Sequence, residues 1–403
     1  MKKKRKTVVL AYSGGLDTSV IIPWIIENYN FEVVAFVADV GQSRKDLLGI
    51  KEKALVSGAK SVYISDLRKE FIKNYIYPML QSGSMYENGY LLGTAIARPV
   101  IAKSQVELAE KINADFLSHG STGKGNDQVR FESTYFSLSS KFSVIAPWRE
   151  WNFSSREDLL NYLVNKKIKT NATAKKIYSR DENIFHISTE GGELEDLSNS
   201  PSKNCWTWTL SPKKSINVPE SILIEIKNGI IISINNEKTT LLDSLKYLNK
   251  VGSKHGIGRI DIVENRLIGM KSRGCYETPG GTIINKVLRT IEELVLDRDS
   301  LKWRSLIGLE LSYVIYDGKW FTPLRQSLLS ALAPFTKLLN GFVELELYKG
   351  TITVKKRSSK NSLYSKDFAT FGKEKIFNQR DAHGFIQIYS LPSRIRNLKK
   401  HNS

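Results

Sequence analysis

The chain has 403 residues, 41% of them hydrophobic, enough to pack two domains, and no apolar run approaches the roughly 18 residues that span a bilayer, which excludes an integral helical membrane protein. Its 60 Lys+Arg against 41 Asp+Glu give a formal charge of +19, the one bulk property that points towards nucleic acid. That excess is scattered in small clusters (Lys2 to Lys6, Lys166-Lys167, Lys213-Lys214, Lys355 to Arg357, Lys399-Lys400), not gathered into an arm with interleaved aromatics, so drift towards Lys, Asn and Ile would give the same charge without a partner.

The basic run Met1 to Lys6 meets a strand-like segment at once and leaves no apolar signal region, so export is not expected. Val8 to Tyr12 is a short apolar run of the kind buried in a parallel sheet, and Gly14-Gly15 then lets the backbone turn with no Cβ in the way. Asp17-Thr18-Ser19 opens a helix, whose first N–H groups lack internal partners and carry partial positive charge. The segment Ser13-Gly14-Gly15-Leu16-Asp17-Thr18-Ser19 has neither the Walker spacing nor the Gly-x-Gly-x-x-Gly spacing. It resembles the PP-loop of ATP pyrophosphatases, which implies a grip on departing pyrophosphate while a nucleophile attacks the α-phosphate. An ordinary glycine turn between strand and helix would fit this segment equally well if it stood alone. Pro23 falls inside the following helix and predicts a kink there, not an end.

Glu32 to Val40 repeats the buried-strand pattern, and Ser61 to Ser65, Ala114 to Ser118 and Phe142 to Ala146 supply further strands, with a helix over Ala97 to Lys111. Residues 1–170 therefore read as a doubly wound α/β domain with a parallel sheet, in which ligands bind beyond the carboxyl ends of the strands, where the glycine loop, Ala38-Asp39 and His119-Gly120 fall. From 171 the pattern becomes α+β. Ile222 to Ile234 predicts a hairpin turning at Asn228-Gly229, Thr240 to Lys250 a helix, Gly258 to Val263 a strand, Lys286 to Asp299 a helix, and Phe342 to Lys355 a hairpin turning at Lys349-Gly350. Residues 361–403 have few core-like runs and suit docking on neighbouring subunits.

Ser118 to Glu132 places three glycines and a polar series directly after a predicted strand; Thr122, Asn126, Asp127 and Arg130 offer a hydroxyl, an amide, an acid and a guanidinium, a set able to hold an amino acid by its charged ends. Lys254 to Gly281 is dense in glycine and charge, with Glu264 able to receive a guanidinium or ureido group and Tyr276 able to donate to a carboxylate; surface salt bridging is the plainer account of each residue alone. The five histidines are too scattered for a metal cage, and Cys205 and Cys275 lack the spacing of a zinc ribbon or dithiol, which fits a reducing cytoplasm. Asn152-Phe-Ser and Asn171-Ala-Thr match the glycosylation pattern, which is irrelevant in that location.

In order and spacing, Ala11 to Ser19, Tyr90-Leu-Leu-Gly-Thr-Ala-Ile-Ala-Arg-Pro99, His119 to Glu132, Tyr178-Ser-Arg-Asp-Glu-Asn183 and Lys254 to Gly281 resemble the argininosuccinate synthase family, from about residue 7 to Gly384-Phe-Ile. The resemblance implies ligation of citrulline and aspartate with ATP, through a citrullyl-adenylate, releasing AMP and pyrophosphate. It places ATP on Ala11, Tyr12, Ser13, Gly14, Gly15, Leu16, Asp17, Thr18, Ser19, Ala38 and Gly120. Aspartate falls to Thr122, Asn126 and Asp127, and citrulline to Tyr90, Asn126, Arg130, Ser179, Ser188, Glu264 and Tyr276. No covalent nucleophile is assigned, and positioning with phosphate-charge stabilisation is expected to carry catalysis. Mg²⁺ is expected with ATP, with Asp17 the carboxylate nearest to hand; a homotetramer clasped by C-terminal segments is likewise implied. Where some members have a serine contacting citrulline this chain has Ala95, so that bond is either missing or supplied by Thr94 or water. Two other readings remain open: a tRNA-modifying PP-loop enzyme, whose thiolating kind the lack of paired cysteines disfavours, and a basic nucleic-acid-binding protein.

Overall fold

In the computed structural model, residues 5–168, 177–369 and 378–401 are described; Lys2 to Lys4 and Asn171-Ala-Thr lie outside them. The strands β1 (Thr7–Ala11), β2 (Glu32–Asp39), β3 (Ser61–Asp66), β4 (Phe116–Ser118) and β5 (Ser143–Ile145) pair in parallel in the order β3-β2-β1-β4-β5. All five match the apolar runs read from the sequence. Side chains alternate across a strand, and Val8 and Leu10 join one buried cluster while Val9 joins another, so β1 is covered on both faces. The chain leaves β1 for β2 on one side and pairs β4 on the other, which opens a crevice at the carboxyl ends of β1 and β4.

Helix α1 (Leu16–Tyr29) buries Val20, Ile21, Ile22 and Ile25 and runs on through Pro23. Helix α2 (Gly93–Lys111) starts four residues before the predicted Ala97 and carries Pro99 within it. Its buried Gln105 donates 2.9 Å bonds to the carbonyls of both Val9 and Ser118, which ties α2 to the two strands that frame the crevice. Helix α3 (Asp127–Leu138) follows the loop after β4.

Beyond the parallel sheet the strands are antiparallel. β6 (Ser179–Glu182), β7 (Ile187–Glu190), β11 (Arg259–Asn265) and β12 (Lys271–Glu277) pair in the order β11-β12-β7-β6, whereas β8 (Glu220–Lys227), β9 (Ile230–Ile234), β10 (Glu237–Lys238), β13 (Gly341–Tyr348) and β14 (Thr351–Ser358) pair as β10-β9-β8-β13-β14. Both predicted hairpins form. Their turns need positive φ at two successive residues, supplied by Asn228 and Gly229 (52° and 70°) and by Lys349 and Gly350 (44° and 83°).

Helix α4 (Leu241–Lys254) is capped by Thr240, whose hydroxyl accepts from Asp243 N. The predicted helix over Lys286 to Asp299 is corrected: α5 (Pro279–Val295) begins seven residues earlier and ends, and Asp297 caps a new helix, α6 (Arg298–Tyr316), by accepting from the N–H groups of Asp299 and Ser300. Helix α7 (Pro323–Leu338) precedes β13. One apolar cluster extends from Val9 and Phe36 through Ile283 and Ile315 to Leu347, so both halves of the chain share it. The C-terminal α8 (Asp381–Tyr389) and α9 (Leu391–His401) instead expose Phe385, Ile386, Ile388, Tyr389 and Leu398. Cys205 and Cys275, distant in sequence, are buried side by side with Leu194, and both are free thiols.

Candidate active site

Gly14 turns the chain at φ +72°, where a Cβ would also press on Ile50 at 3.1 Å. Gly15 caps α1 without a side chain, leaving the first N–H groups of the helix open to an anion. The loop is braced from within: Gly15 N donates to Ser13 Oγ at 3.3 Å, Ser13 Oγ lies 3.2 Å from Thr18 Oγ1, and Ser19 Oγ donates to the Gly15 carbonyl at 2.8 Å. Ser19 Oγ also lies 3.1 Å from the Tyr12 hydroxyl. Gly120, just after β4, packs so closely on this loop that a Cβ would come within 2.7 Å of Thr18 Cγ2. The Ala38 carbonyl, near the end of β2, accepts from Gln42 Nε2 at 2.8 Å. Past it opens a cleft of about 640 Å³ lined by Asp39, Gln42, Arg44, Trp208, Lys246 and Lys250 among others. Burial raises the pKa of Asp17 in the first turn of α1.

A second group of polar side chains is gathered by strand geometry. Residues paired across antiparallel strands project to the same face, and so do alternate residues along one strand. Tyr276 pairs with Ser188, Ser188 with Asp181, and Glu190 with both Gly274 and Ser179, while Glu264 follows two places after Ile262, the partner of Gly274. Ser179, Asp181, Ser188, Glu190, Glu264 and Tyr276 therefore share one face of the β11-β12-β7-β6 sheet. Gly274 leaves room for the Tyr276 ring, which a Cβ there would meet at 2.4 Å. The Tyr90 loop lies on this face: its ring is 4.7 Å from that of Tyr276, and its hydroxyl accepts from Thr94 N at 2.9 Å and Ala95 N at 3.3 Å. Thr94 Oγ1 is 3.5 Å from Ser188 Oγ, while Ala95 is fully buried with only a methyl to offer.

Arginines join this face to the loop after β4. Arg98 on α2 holds Asp127 at 2.7 Å and Asp181 at 2.8 Å, and Arg130 holds the other oxygen of Asp127 at 2.7 Å. Burial would raise the Asp127 pKa, but the two guanidiniums outweigh it and bring it down to about 2. Asn126 donates to the Tyr316 hydroxyl at 2.9 Å and accepts from Leu267 N at 2.9 Å, and the Tyr316 hydroxyl in turn donates to Glu264 Oε1 at 3.0 Å. Burial, with Glu190 as a like-charged neighbour, pushes Glu264 up to about 7, and Glu264 Oε2 has no hydrogen-bond partner among the described residues. Glu190 is itself raised by burial, with Arg266 at 2.7 Å opposing that shift. His186, beneath Tyr90 and Tyr276, shares a 2.9 Å bond with Thr278 and is lowered by burial to about 3, so it stays neutral.

The structure thus brings the sequence-predicted residues into two adjoining groups, the glycine loop with Gly120 and the sheet face with Asn126, Asp127, Arg130 and Tyr90. Ser179 and Thr122 stand exposed at the rim. Arg98, Asp181, Glu190 and Tyr316 were not singled out from the sequence. Arg98 and Asp181 sit inside two of the five recognised motifs, and Glu190 lies on the Ser188 face two places on; for Tyr316 no local pattern distinguishes it from a core tyrosine. The histidines are dispersed: His119 is 3.0 Å from Glu132 and His255 is 3.0 Å from Glu220. Among the described residues no group of three or more His, Cys, Asp or Glu could hold a metal ion.

A five-stranded parallel sheet with a glycine loop at its switch point, joined to a buried, charge-paired polar face, is the architecture of a nucleotide-using α/β enzyme. Residues 7–169 match the arginosuccinate synthase N-terminal HUP domain and residues 178–396 the arginosuccinate synthase C-terminal domain. The argininosuccinate synthase of Buchnera aphidicola subsp. Cinara cedri (strain Cc) is 62% identical over 395 residues, 98% of this chain and 99% of that one. Those of Buchnera aphidicola subsp. Baizongia pistaciae (strain Bp) and Serratia proteamaculans (strain 568) are 61% and 58% identical, covering 99% and 98% of this chain and 97% and 98% of theirs. The chain belongs to the argininosuccinate synthase family.

Proposed function

We propose that the protein joins citrulline to aspartate with ATP, forming argininosuccinate, AMP and pyrophosphate in arginine biosynthesis. The observation that carries the placement is the contact of Gly120 with Thr18, which sets the phosphate loop against the segment leading to Asn126, Asp127 and Arg130. ATP would lie on Ala11 to Ser19, Ala38 and Gly120, with its β- and γ-phosphates over the open N–H groups of α1. Citrulline would occupy the sheet face between Tyr90, Asn126, Arg130, Ser179, Ser188, Glu264 and Tyr276, where the free Glu264 Oε2 can accept from its ureido N–H groups. Its ureido oxygen would attack the α-phosphate and expel pyrophosphate. Aspartate, held by Thr122, Asn126 and Asp127, would then present its amine to the activated carbon, and AMP would leave. No protein nucleophile is needed. Holding the reacting atoms together and matching phosphate charge supply the acceleration.

Mg²⁺ as a companion of ATP fits the donor set, because Asp17 offers an oxygen ligand on the phosphate loop and a cation beside it would offset the burial that raises its pKa. When bound, Mg²⁺ would neutralise phosphate charge. The division into residues 1–170, 171–360 and 361–403 belongs to the same proposal, as does a homotetramer joined through α8 and α9, whose exposed Phe385, Ile388 and Tyr389 suit a subunit contact. A cytoplasmic setting fits an enzyme with these substrates, and among the described residues no helix is long and apolar enough to cross a membrane. The direct test is AMP release from ATP. Release that requires both citrulline and aspartate is expected; release indifferent to them, or stimulated by tRNA, would overturn the reading.

A further inference from the structure

Tyr316 is the last residue of α6 and is buried, yet every polar atom of its side chain and its carbonyl is turned towards the amino-acid face. The bonds around it have a fixed direction. Leu267 N–H must donate to Asn126 Oδ1, which leaves Nδ2 to donate to the Tyr316 hydroxyl, and that hydroxyl then passes its single proton to Glu264 Oε1, at 2.9, 2.9 and 3.0 Å in turn. Carbonyls in the last turn of a helix have no intrahelical partner, and that of Tyr316 accepts from Arg130 Nε at 2.8 Å while the guanidinium lies 4.8 Å over the ring. The ring is clamped from the other side by Tyr86, parallel within 6° at 3.7 Å, whose own hydroxyl donates to the Asn265 carbonyl at 2.8 Å. Gly318, at φ +76°, lets the following turn close so tightly on α3 that a Cβ would stand 2.6 Å from Arg130 Cα.

We propose that Tyr316 is a positioning residue for the ligation: it ties Asn126, whose amide orientation the Leu267 N–H fixes, to the guanidinium of Arg130 and the carboxylate of Glu264, so that the citrulline and aspartate subsites are held in mutual register from behind. The inference rests on the placement of the two amino acids given above. Asn126 is the residue shared by both subsites, so a displacement of its side chain acts on both. Glu264 is faced by Glu190 from β7, Arg130 from α3, Tyr276 from β12, Tyr86 and Tyr90 from the loop before α2 and Tyr316 from α6; the Tyr316 hydroxyl donates to Oε1 at 3.0 Å and, with Tyr276, favours the charged form.

The test is steady-state kinetics on Tyr316→Phe, which keeps the ring, its stacking and the main-chain carbonyl. The KM for citrulline and the KM for aspartate are expected to rise together by about tenfold, the scale of one lost buried hydrogen bond each, while kcat stays within about threefold. The KM for ATP is expected within about twofold of wild type and the melting temperature within about 3 °C. The acid limb of kcat/KM for citrulline is expected to move to higher pH, since the Glu264 carboxylate loses a donor. Tyr86→Phe, which removes the hydroxyl of the stacked neighbour, is expected to leave both amino-acid KM values within about twofold. Unchanged KM values in Tyr316→Phe, a rise for one amino acid alone, or an equal effect in Tyr86→Phe would overturn the proposal. The wild-type requirement for both amino acids in AMP release is measured first, so that failure of the ligase reading is recognised separately.

Discussion

The phosphate loop and the amino-acid face are built on opposite principles. Seven consecutive residues, Ser13 to Ser19, make the loop; its side-chain bonds run between neighbours no more than seven apart, apart from the approach of Gly120 and Ile50. The amino-acid face draws on Tyr90, Arg98, Asn126, Arg130, Asp181, Ser188, Glu264, Tyr276 and Tyr316, on at least six different elements, and is held by charge pairs and directed hydrogen bonds. The loop has main-chain N–H groups to offer. The face offers side chains already bonded to one another, so a ligand there must fit a network. A change in the loop should therefore act on one substrate, and a change in the face on several.

The largest expected effect tests this sharing. Asp127→Ala removes the common partner of Arg98 and Arg130, leaving two buried guanidiniums with one fewer carboxylate between them. We expect turnover to fall by about 100-fold or more, with the KM for aspartate and for citrulline both raised and that for ATP changed far less. A defect confined to aspartate would show that the face is two independent subsites.

Next comes Glu264→Gln, an expected loss of roughly 10- to 100-fold in kcat/KM for citrulline, as an uncharged amide replaces the acceptor for ureido N–H groups. In the wild type this parameter should fall as pH drops through about 7, where Glu264 takes up a proton. The variant should lose that limb. The stability sign is opposite: because the folded value lies above the ordinary 4.5, the contribution of Glu264 to stability is complete below about 4.5 and is lost as pH rises through about 7. Melting curves of wild type and variant should therefore converge at acid pH and separate above it in favour of the variant.

Gly14→Ala acts on the loop alone. A side chain at φ +72° costs about 1–2 kcal/mol, and its Cβ presses on Ile50, so the KM for ATP should rise roughly tenfold with both amino-acid values within about twofold. Equal rises for all three substrates would mean that loop and face move as one body.

The same contrast decides what the sequence made legible. The parallel strands are continuous apolar runs and both hairpins carry their turn residues on the surface of the text, so periodicity and Asn228-Gly229 or Lys349-Gly350 sufficed. The predicted helix over Lys286 to Asp299 runs past its true end because Leu296 prolongs the apolar run beyond Val295, whereas Asp297 belongs to the next helix as its cap. In the site, Ser13 to Ser19 announced itself, whereas Arg98, Asp181 and Glu190 gain meaning only when β6 and β7 set them against α2. Tyr316 lies about fifty residues from Glu264 and nearly two hundred from Asn126, and only the fold supplies its partners.

The smallest expected effect falls in α1, one turn beyond the loop. Pro23 has no N–H, so the Ser19 carbonyl receives no bond from one turn on, although Ser19 belongs to the phosphate loop. If the loop's grip resides in its first N–H groups and its internal hydroxyl bonds, that missing bond is merely a cost to the helix. Pro23→Ala should then raise the melting temperature by about 2 °C or more and leave the KM for ATP within about twofold, as measured by thermal unfolding and AMP release. A tenfold change in the KM for ATP would instead mean that Pro23 shapes the start of α1, and the loop would depend on its helix as the amino-acid face depends on α6.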